Sequence, residues 1–217
     1  MTHRKTDKGS TARLSQIKEV NYAILHFVDL SGLLKGRTIP GREVDRVLSS
    51  GAGFDGSSIP GYVSIEESDM VMKPDPATLT VFPRYFYHRG VASFICDIYR
   101  PGGKRFESDP RYVCQKSVEK LRAEGYEPAA AAELEFYLVR KNDNGEICSV
   151  EEHVIDHQRY FDISPGRDLT EIYRMDLSDT LSQMGLAVER YHHEVGSAQS
   201  EITFSYSTPV TTSDNIV

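Results

Sequence analysis

Residues 132–140, Ala-Glu-Leu-Glu-Phe-Tyr-Leu-Val-Arg, have the apolar and aromatic content of a strand, yet two glutamates stand in it with a single residue between them. Strand side chains alternate between faces, so Glu133 and Glu135 share one side while Leu134, Phe136 and Leu138 share the other. A second stretch, HHEVGSAQSEI, carries Glu194 and Glu201 seven positions apart. Along one straight strand that odd spacing would split them between faces. A hairpin turning at "SA" or "GSAQ" instead pairs 194 with 201 and puts both on one face, with Ile202, Phe204 and Tyr206 on the apolar side and Glu201, Thr203 and Ser205 on the polar side. Opposed residues have Cβ atoms about 4.5–5.5 Å apart, where like charges weaken a sheet. Protons, cations or solvent must relieve such a face.

Converging carboxylates with oxygen-only donors favour Mg²⁺ or Mn²⁺, and such clusters commonly hold metal against phosphate oxygens. Two other readings of the residues stay open: each pair is simply solvated on an exposed sheet face, or two carboxylates form a general acid/base pair. His192-x-Glu194 also resembles two ligands of an iron facial triad, as in an oxygenase. No histidine follows His193, so the third ligand would come from His153, His157 or earlier. The plainer reading makes His192 and His193 strand residues bonded to their neighbours.

The rest of the chain reads as an ordinary α+β protein of 217 residues. Its net charge of −7 argues against a nucleic-acid or anionic-membrane surface. No apolar run nears the ~20 residues of a membrane helix and the first ten residues lack a signal-peptide core, so a cytoplasmic protein is expected. Cys96, Cys114 and Cys148 are odd in number and widely spaced, which suits reduced core thiols. Residues 1–10 read as a polar arm and 11–19 as a short helix. Strands are expected at 20–29, at LKGRTIP, at TLTVFP and at ASFICDIY, with a helix in GREVDRVLSSG. The Pro/Gly-rich RPGGKRFESDP marks a domain boundary and ends in a helix start, Asp109-Pro110, with Val118 and Leu121 facing inward. Asn144-Gly145 signals a hairpin turn. A further helix is expected over 168–184, with Tyr173, Leu177, Leu181 and Met184 on one stripe.

GAGFDG, residues 51–56, matches the glycine pattern of dinucleotide-binding turns but follows a helix and precedes Pro60, so no helix opens to hold a pyrophosphate. No phosphate-loop motif ending in Gly-Lys-Ser/Thr is present in the 217 residues.

FDGSSIPGYVSIEESDMVMKPD, FICDIYRPGG, ELEFYLV, YFDISP and HHEVGSAQSEI occur in the order and approximate spacing of the glutamine synthetase family, which the chain resembles, in type I-like form, from about Val20 to its end. The resemblance implies an arm over 1–17, a small β-grasp domain over 18–101, and from 106 to 217 the first half of a catalytic domain, an antiparallel sheet with flanking helices. It implies an ATP-dependent ligase that joins glutamate to ammonia through γ-glutamyl phosphate, with Mg²⁺ or Mn²⁺, in a homo-oligomeric ring whose active sites lie between subunits. Carried over by position, Glu135, Glu194 and Glu201 would bind one metal and Glu133 the other. Glu189 would contact the nucleotide and Tyr206 would lie near its adenine. Asp55 would attract ammonium and take its proton in the site of the adjacent subunit, beside Tyr160; GAGFDG would then be a loop bending at that interface. Leu134 stands where proline is common and "SAQ" where "PGQ" or "AGQ" is common, which leaves open an amine as acceptor in place of ammonia, or a non-catalytic scaffold. Members are about twice as long. The chain therefore reads as the N-terminal half of a longer enzyme, inactive alone, with Ser213 or Asp214 capping a helix that has no body.

Overall fold

The computed structural model describes residues 20–151 and 159–217. The expected arm and first helix, His153 and His157 lie outside them. Two compact units divide between Pro128 and Ala129.

The first unit is built on a mixed sheet. Strands β1 (Tyr22–Val28) and β2 (Leu34–Pro40) form an antiparallel hairpin, and β1 runs parallel to β6 (Val91–Tyr99). Beyond β6 come β4 (Asp69–Pro74) and then β3 (Ala52–Asp55), both antiparallel to their neighbours, while the two-residue β5 (Thr80–Val81) also pairs with β6. The order is β2-β1-β6-β4-β3. The central β6 reads VASFICDIY, and its near-continuous apolar run is buried on both faces, as a strand flanked on both sides requires. In β1 the alternation is clean: Ala23, Leu25 and Phe27 point into the core. Helix α1 (Val44–Ser50) adds Val44 and Val47 to that core, completing the β-grasp architecture.

GAGFDG is a strand rather than a loop. Gly51 has φ +77°, ends α1, and leads directly into β3; a Cβ there would meet Val71 Cγ1 at 2.5 Å. Strands β3 and β4 escape the period-two reading because β3 is a four-residue edge strand containing a glycine. A single turn, α2 (Arg84–Tyr87), precedes β6.

Helix α3 (Pro110–Ala123) packs with the first unit. Asp109 caps it by accepting the Arg111 amide at 3.1 Å, while its other oxygen accepts the Ile98 amide of β6 at 3.2 Å and the Arg105 guanidinium at 3.0 Å. Burial pushes this carboxyl above the usual range, against the pull of those donors. Val118 is buried as expected, but Leu121 is 42% exposed. None of the three cysteines forms a disulfide; only Cys96 is a core thiol, raised to about 12 by burial, whereas Cys114 and Cys148 are half-buried. Among the described residues no helix is long and apolar enough to cross a membrane.

The second unit holds an antiparallel sheet of β7 (Glu133–Tyr137), β11 (Gln199–Phe204) and β10 (Val188–His193), with β11 central. After β7 the chain forms a separate hairpin, β8 (Val139–Lys141) and β9 (Ile147–Ser149), at the expected Asn-Gly turn. Asn142 Oδ1 accepts the amides of Asn144 at 3.0 Å and Glu146 at 2.9 Å. Helix α4 (Glu171–Gln183) starts three residues later than expected, because Asp168 turns inward to accept from Thr170 and Arg174. Its buried residue is Arg174, and Tyr173 of the expected apolar stripe is exposed. Tyr206 does not extend the apolar face of β11. The chain leaves the sheet at Ser205, whose amide donates to Ala187, and Tyr206 is 74% exposed. Helix α5 (Pro209–Ile216) contains Ser213 and Asp214 within its body; its cap is Thr208, which accepts the Thr211 amide at 3.2 Å.

Replacing Asp109 with Ala removes the α3 cap and leaves Arg105 facing a vacated acceptor. Urea denaturation of Asp109→Ala should show a loss of about 1–2 kcal/mol, and Asp109→Asn, which keeps an acceptor, a smaller one.

Candidate active site

Glu135 of β7 lies directly across from Glu201 of β11, and Glu201 directly across from His192 of β10. Cross-strand partners share a face, so these three form a row over the whole sheet. Glu133, opposite Thr203, lies on the same side one step along β7. The expected pairing of 194 with 201 is displaced by two positions: His193 pairs with Ser200, and the Glu194 amide donates to Gln199 at 2.9 Å. A shift of two preserves the faces, so Glu194 remains on the acidic side at the end of the strand.

The cause is that the four-residue turn falls at 195–198, one position before the expected GSAQ, rather than at GSAQ or at the two-residue SA. Gln199 closes it: its amide donates to Gly196 O at 3.1 Å and its side-chain oxygen accepts the Gly196 amide at 2.9 Å. A Cβ on Gly196 would lie 2.6 Å from that oxygen and 2.8 Å from the Tyr137 hydroxyl. The Gln199 amide nitrogen then donates to Glu135 at 2.7 Å, joining turn and acidic row.

His192 sits among the acids. Its Nδ1 is 3.5 Å from Glu194 Oε1 and its Nε2 is 3.6 Å from Glu201 Oε2. One donor atom from each of His192, Glu194 and Glu201 lies within 4.8 Å of the others. Burial, together with the charges of Glu133, Glu194 and Glu135, raises the Glu201 carboxyl above its usual range, with His192 acting in the opposite direction. All three other glutamates therefore press on Glu201. The donor set suits a hard divalent cation, which would remove that repulsion. Among the described residues this face offers one histidine and several carboxylates, and His193 turns to the opposite, buried face; the other expected iron ligands, His153 and His157, lie outside the described residues.

The remaining expected residues are placed as follows. Tyr160, exposed, stacks on Phe161 at 4.0 Å, and both rings meet His192 edge-on, at 5.4 and 4.8 Å, so Tyr160 borders the acidic face. Glu189 occupies a register shift between Val188 and Arg190, where the strand is re-aimed, and accepts the Ser205 hydroxyl at 2.9 Å. Tyr206 follows nearby in sequence with its ring exposed. Asp55 belongs to the first unit. Its carboxylate accepts the Ser57 hydroxyl at 2.6 Å, the Ser57 amide at 2.9 Å and the Ser58 hydroxyl at 2.9 Å, and the two hydroxyl bonds chiefly hold it below the usual carboxylate range.

His192, weighed in the sequence as an iron ligand beside Glu194 or as a strand residue bonded to its neighbours, takes its place among the acids. Gln199 escapes the sequence reading, because its role depends on the turn.

Residues 19–101 match the family described as the glutamine synthetase β-grasp domain, and residues 107–217 that described as the glutamine synthetase catalytic domain. The chain belongs to the glutamine synthetase family. It is 41% identical to a glutamine synthetase of Thermotoga maritima over 203 residues, 94% of this chain and 45% of that protein. Against a glutamine synthetase of Staphylococcus aureus identity is 36% over 100% of this chain and 48% of that protein. The chain thus spans about half the length of the curated relatives it matches. In fold it is similar to apo GmaS, with TM-score 0.80 at 20% identity over 97% of this chain and 48% of that one. A cryo-EM structure of Plasmodium falciparum glutamine synthetase gives TM-score 0.73 at 24% identity over 97% and 46% of the two chains.

A carboxyl whose folded pKa is raised binds its proton more tightly folded than unfolded. Its penalty is full above the folded value and is relieved as pH falls toward the unfolded value. In metal-free protein, Glu201→Gln should therefore raise stability at neutral pH by about 0.5–1 kcal/mol, a gain that shrinks on acidification into the carboxyl range. Thermal melting with chelator across that range checks it.

Proposed function

We propose that the chain supplies the β-grasp domain and the first part of the catalytic domain of an ATP-dependent ligase that joins ammonia to the γ-carboxyl of glutamate through γ-glutamyl phosphate. The observation that carries this reading is the convergence of Glu133, Glu135 and Glu194 on Glu201 across one sheet face.

Glu135, Glu194 and Glu201 would hold one divalent cation, Mg²⁺ or Mn²⁺, and Glu133 would face a second. When bound, these ions neutralise phosphate oxygens and the substrate carboxylate, which otherwise repel each other. The protein's own groups do the positioning. Gln199 restrains Glu135, and His192 separates Glu194 from Glu201 while its ring is wedged by Phe161 and Tyr160. Glu189, held by Ser205, and the exposed Tyr206 ring offer an acceptor and a stacking surface to ATP. Asp55, kept ionised by its serine donors, suits an ammonium ion, favouring the charged form for binding and then taking a proton to leave neutral ammonia as nucleophile. Tyr160 would border that pocket. In a ring of subunits Asp55 would serve the neighbouring subunit's acidic face, so catalysis would need the homo-oligomer.

Full-length protein with Mg²⁺ and ATP should form glutamine from glutamate and ammonia, and Asp55→Ala should lower turnover by at least about 100-fold. Unchanged turnover in that variant would remove Asp55 from the ammonia site. Replacing ammonia with methylamine in the same assay decides the acceptor: faster coupling to the amine would make the protein a γ-glutamyl-amine ligase.

A further inference from the structure

Beneath the acidic face, on the other side of the β10–β11 hairpin, lies a buried polar network that the reaction above does not use. At its centre is Glu151, whose side chain is fully buried. Its Oε1 accepts the Leu169 amide at 2.9 Å. Its Oε2 accepts the Ala198 amide at 2.6 Å and His193 Nε2 at 3.0 Å, and pairs with the equally buried Arg159 guanidinium. The opposite ring nitrogen of His193 donates to the Glu194 carbonyl at 2.5 Å.

Glu151 thus grips the turn at both ends: at Ala198 directly, and at Glu194 through His193. Ala198 needs the grip, since it is fully buried and holds φ +55°, a left-handed conformation unfavourable for a residue with a Cβ. The backbone carbonyl of Glu151 adds a bond from the Ser197 hydroxyl at 3.3 Å. Nearby, Arg174 pairs with Asp168 and donates to Ser200, the neighbour of Glu201, at 3.0 Å. Glu151, Asp168 and His193 have donor atoms close enough to suggest a metal site, but Arg159 and Arg174 already supply the positive charge there.

We infer that Glu151 is a positioning residue for the divalent-cation site: from the far side of the sheet it fixes the 194–199 turn, and so the spacing of Glu194 from Glu201. This rests on the reading that those two glutamates hold the cation. With the turn clamped, the carboxylates are arranged before the ion arrives, and binding needs little ordering of the loop. Without the clamp, Ala198 can relax and Glu194 loses its fixed place.

Two measurements on the full-length protein test this. In the unsubstituted protein, hydrogen exchange of the peptide covering 194–199 should be slow with chelator present and change little on adding Mn²⁺. Fast exchange that slows only with Mn²⁺ would show that the ion orders the turn, and would overturn the inference. In Glu151→Gln the Mn²⁺ dissociation constant, read by calorimetry well below the melting temperature, should rise at least tenfold. Phe204→Leu, which trims the buried face of β11 away from the turn, should lower the melting temperature without that change. Where Glu151→Gln does not fold because Arg159 is left unpaired, the double variant Glu151→Met/Arg159→Met removes both buried charges and should show the same tenfold rise. A dissociation constant within twofold of the parent in either folded variant would contradict the proposal. Absence of Mn²⁺ binding by the parent would instead contradict the metal reading itself.

Discussion

The antiparallel register of three strands is the constraint on which the second unit depends. By setting Glu135 against Glu201 and Glu201 against His192, it collects acidic groups from distant parts of the chain onto one face. A slip of one residue would turn Glu201 into the interior and send Ile202 and Phe204, both buried, out to solvent. The hydrophobic side of β11 therefore enforces the acidic side. Burial of those apolar groups offsets the repulsion that the glutamates impose, and the fold keeps a face whose repulsion a bound cation would relieve.

That arrangement divides the labour between the two sides of the sheet. The acidic side offers oxygen donors, with His192 and Gln199 restraining them. The opposite side holds Glu151, His193, Asp168 and Arg174 in a buried polar network, whose carboxylates pair with arginines and whose loop contacts are made by direct hydrogen bonds. Asp55 has its own small support, two serines on the turn that follows β3. In each case the candidate carboxylates are held in place by hydrogen bonds or close contacts from neighbouring side chains.

Much of this was legible in the sequence because a strand's period is short and robust. The shared face of Glu133 and Glu135 follows from adjacency alone, and Glu194 kept its face even though the hairpin register differs by two from the simplest turn. What could not be read depends on contacts between remote residues. Glu151 gives no local signal; its importance appears only when Ala198, His193 and Arg159 are brought around it. Strand β3 was read as a loop because a four-residue edge strand with a glycine inside it and glycines on both flanks lacks alternation. Tyr206 was assigned to a buried face by extrapolating β11 past Ser205, where the chain in fact leaves the sheet. Helix α4 was expected over 168–184 from its apolar stripe, but Asp168 stays outside it, its carboxylate paired with a buried arginine.

The most direct test of the account is where Mn²⁺ binds. Anomalous diffraction from Mn²⁺-containing crystals of the full-length protein should show a peak bounded by the carboxylates of Glu135, Glu194 and Glu201. A well-ordered acidic face with no manganese at millimolar concentration, or a peak coordinated elsewhere by other residues, would contradict it.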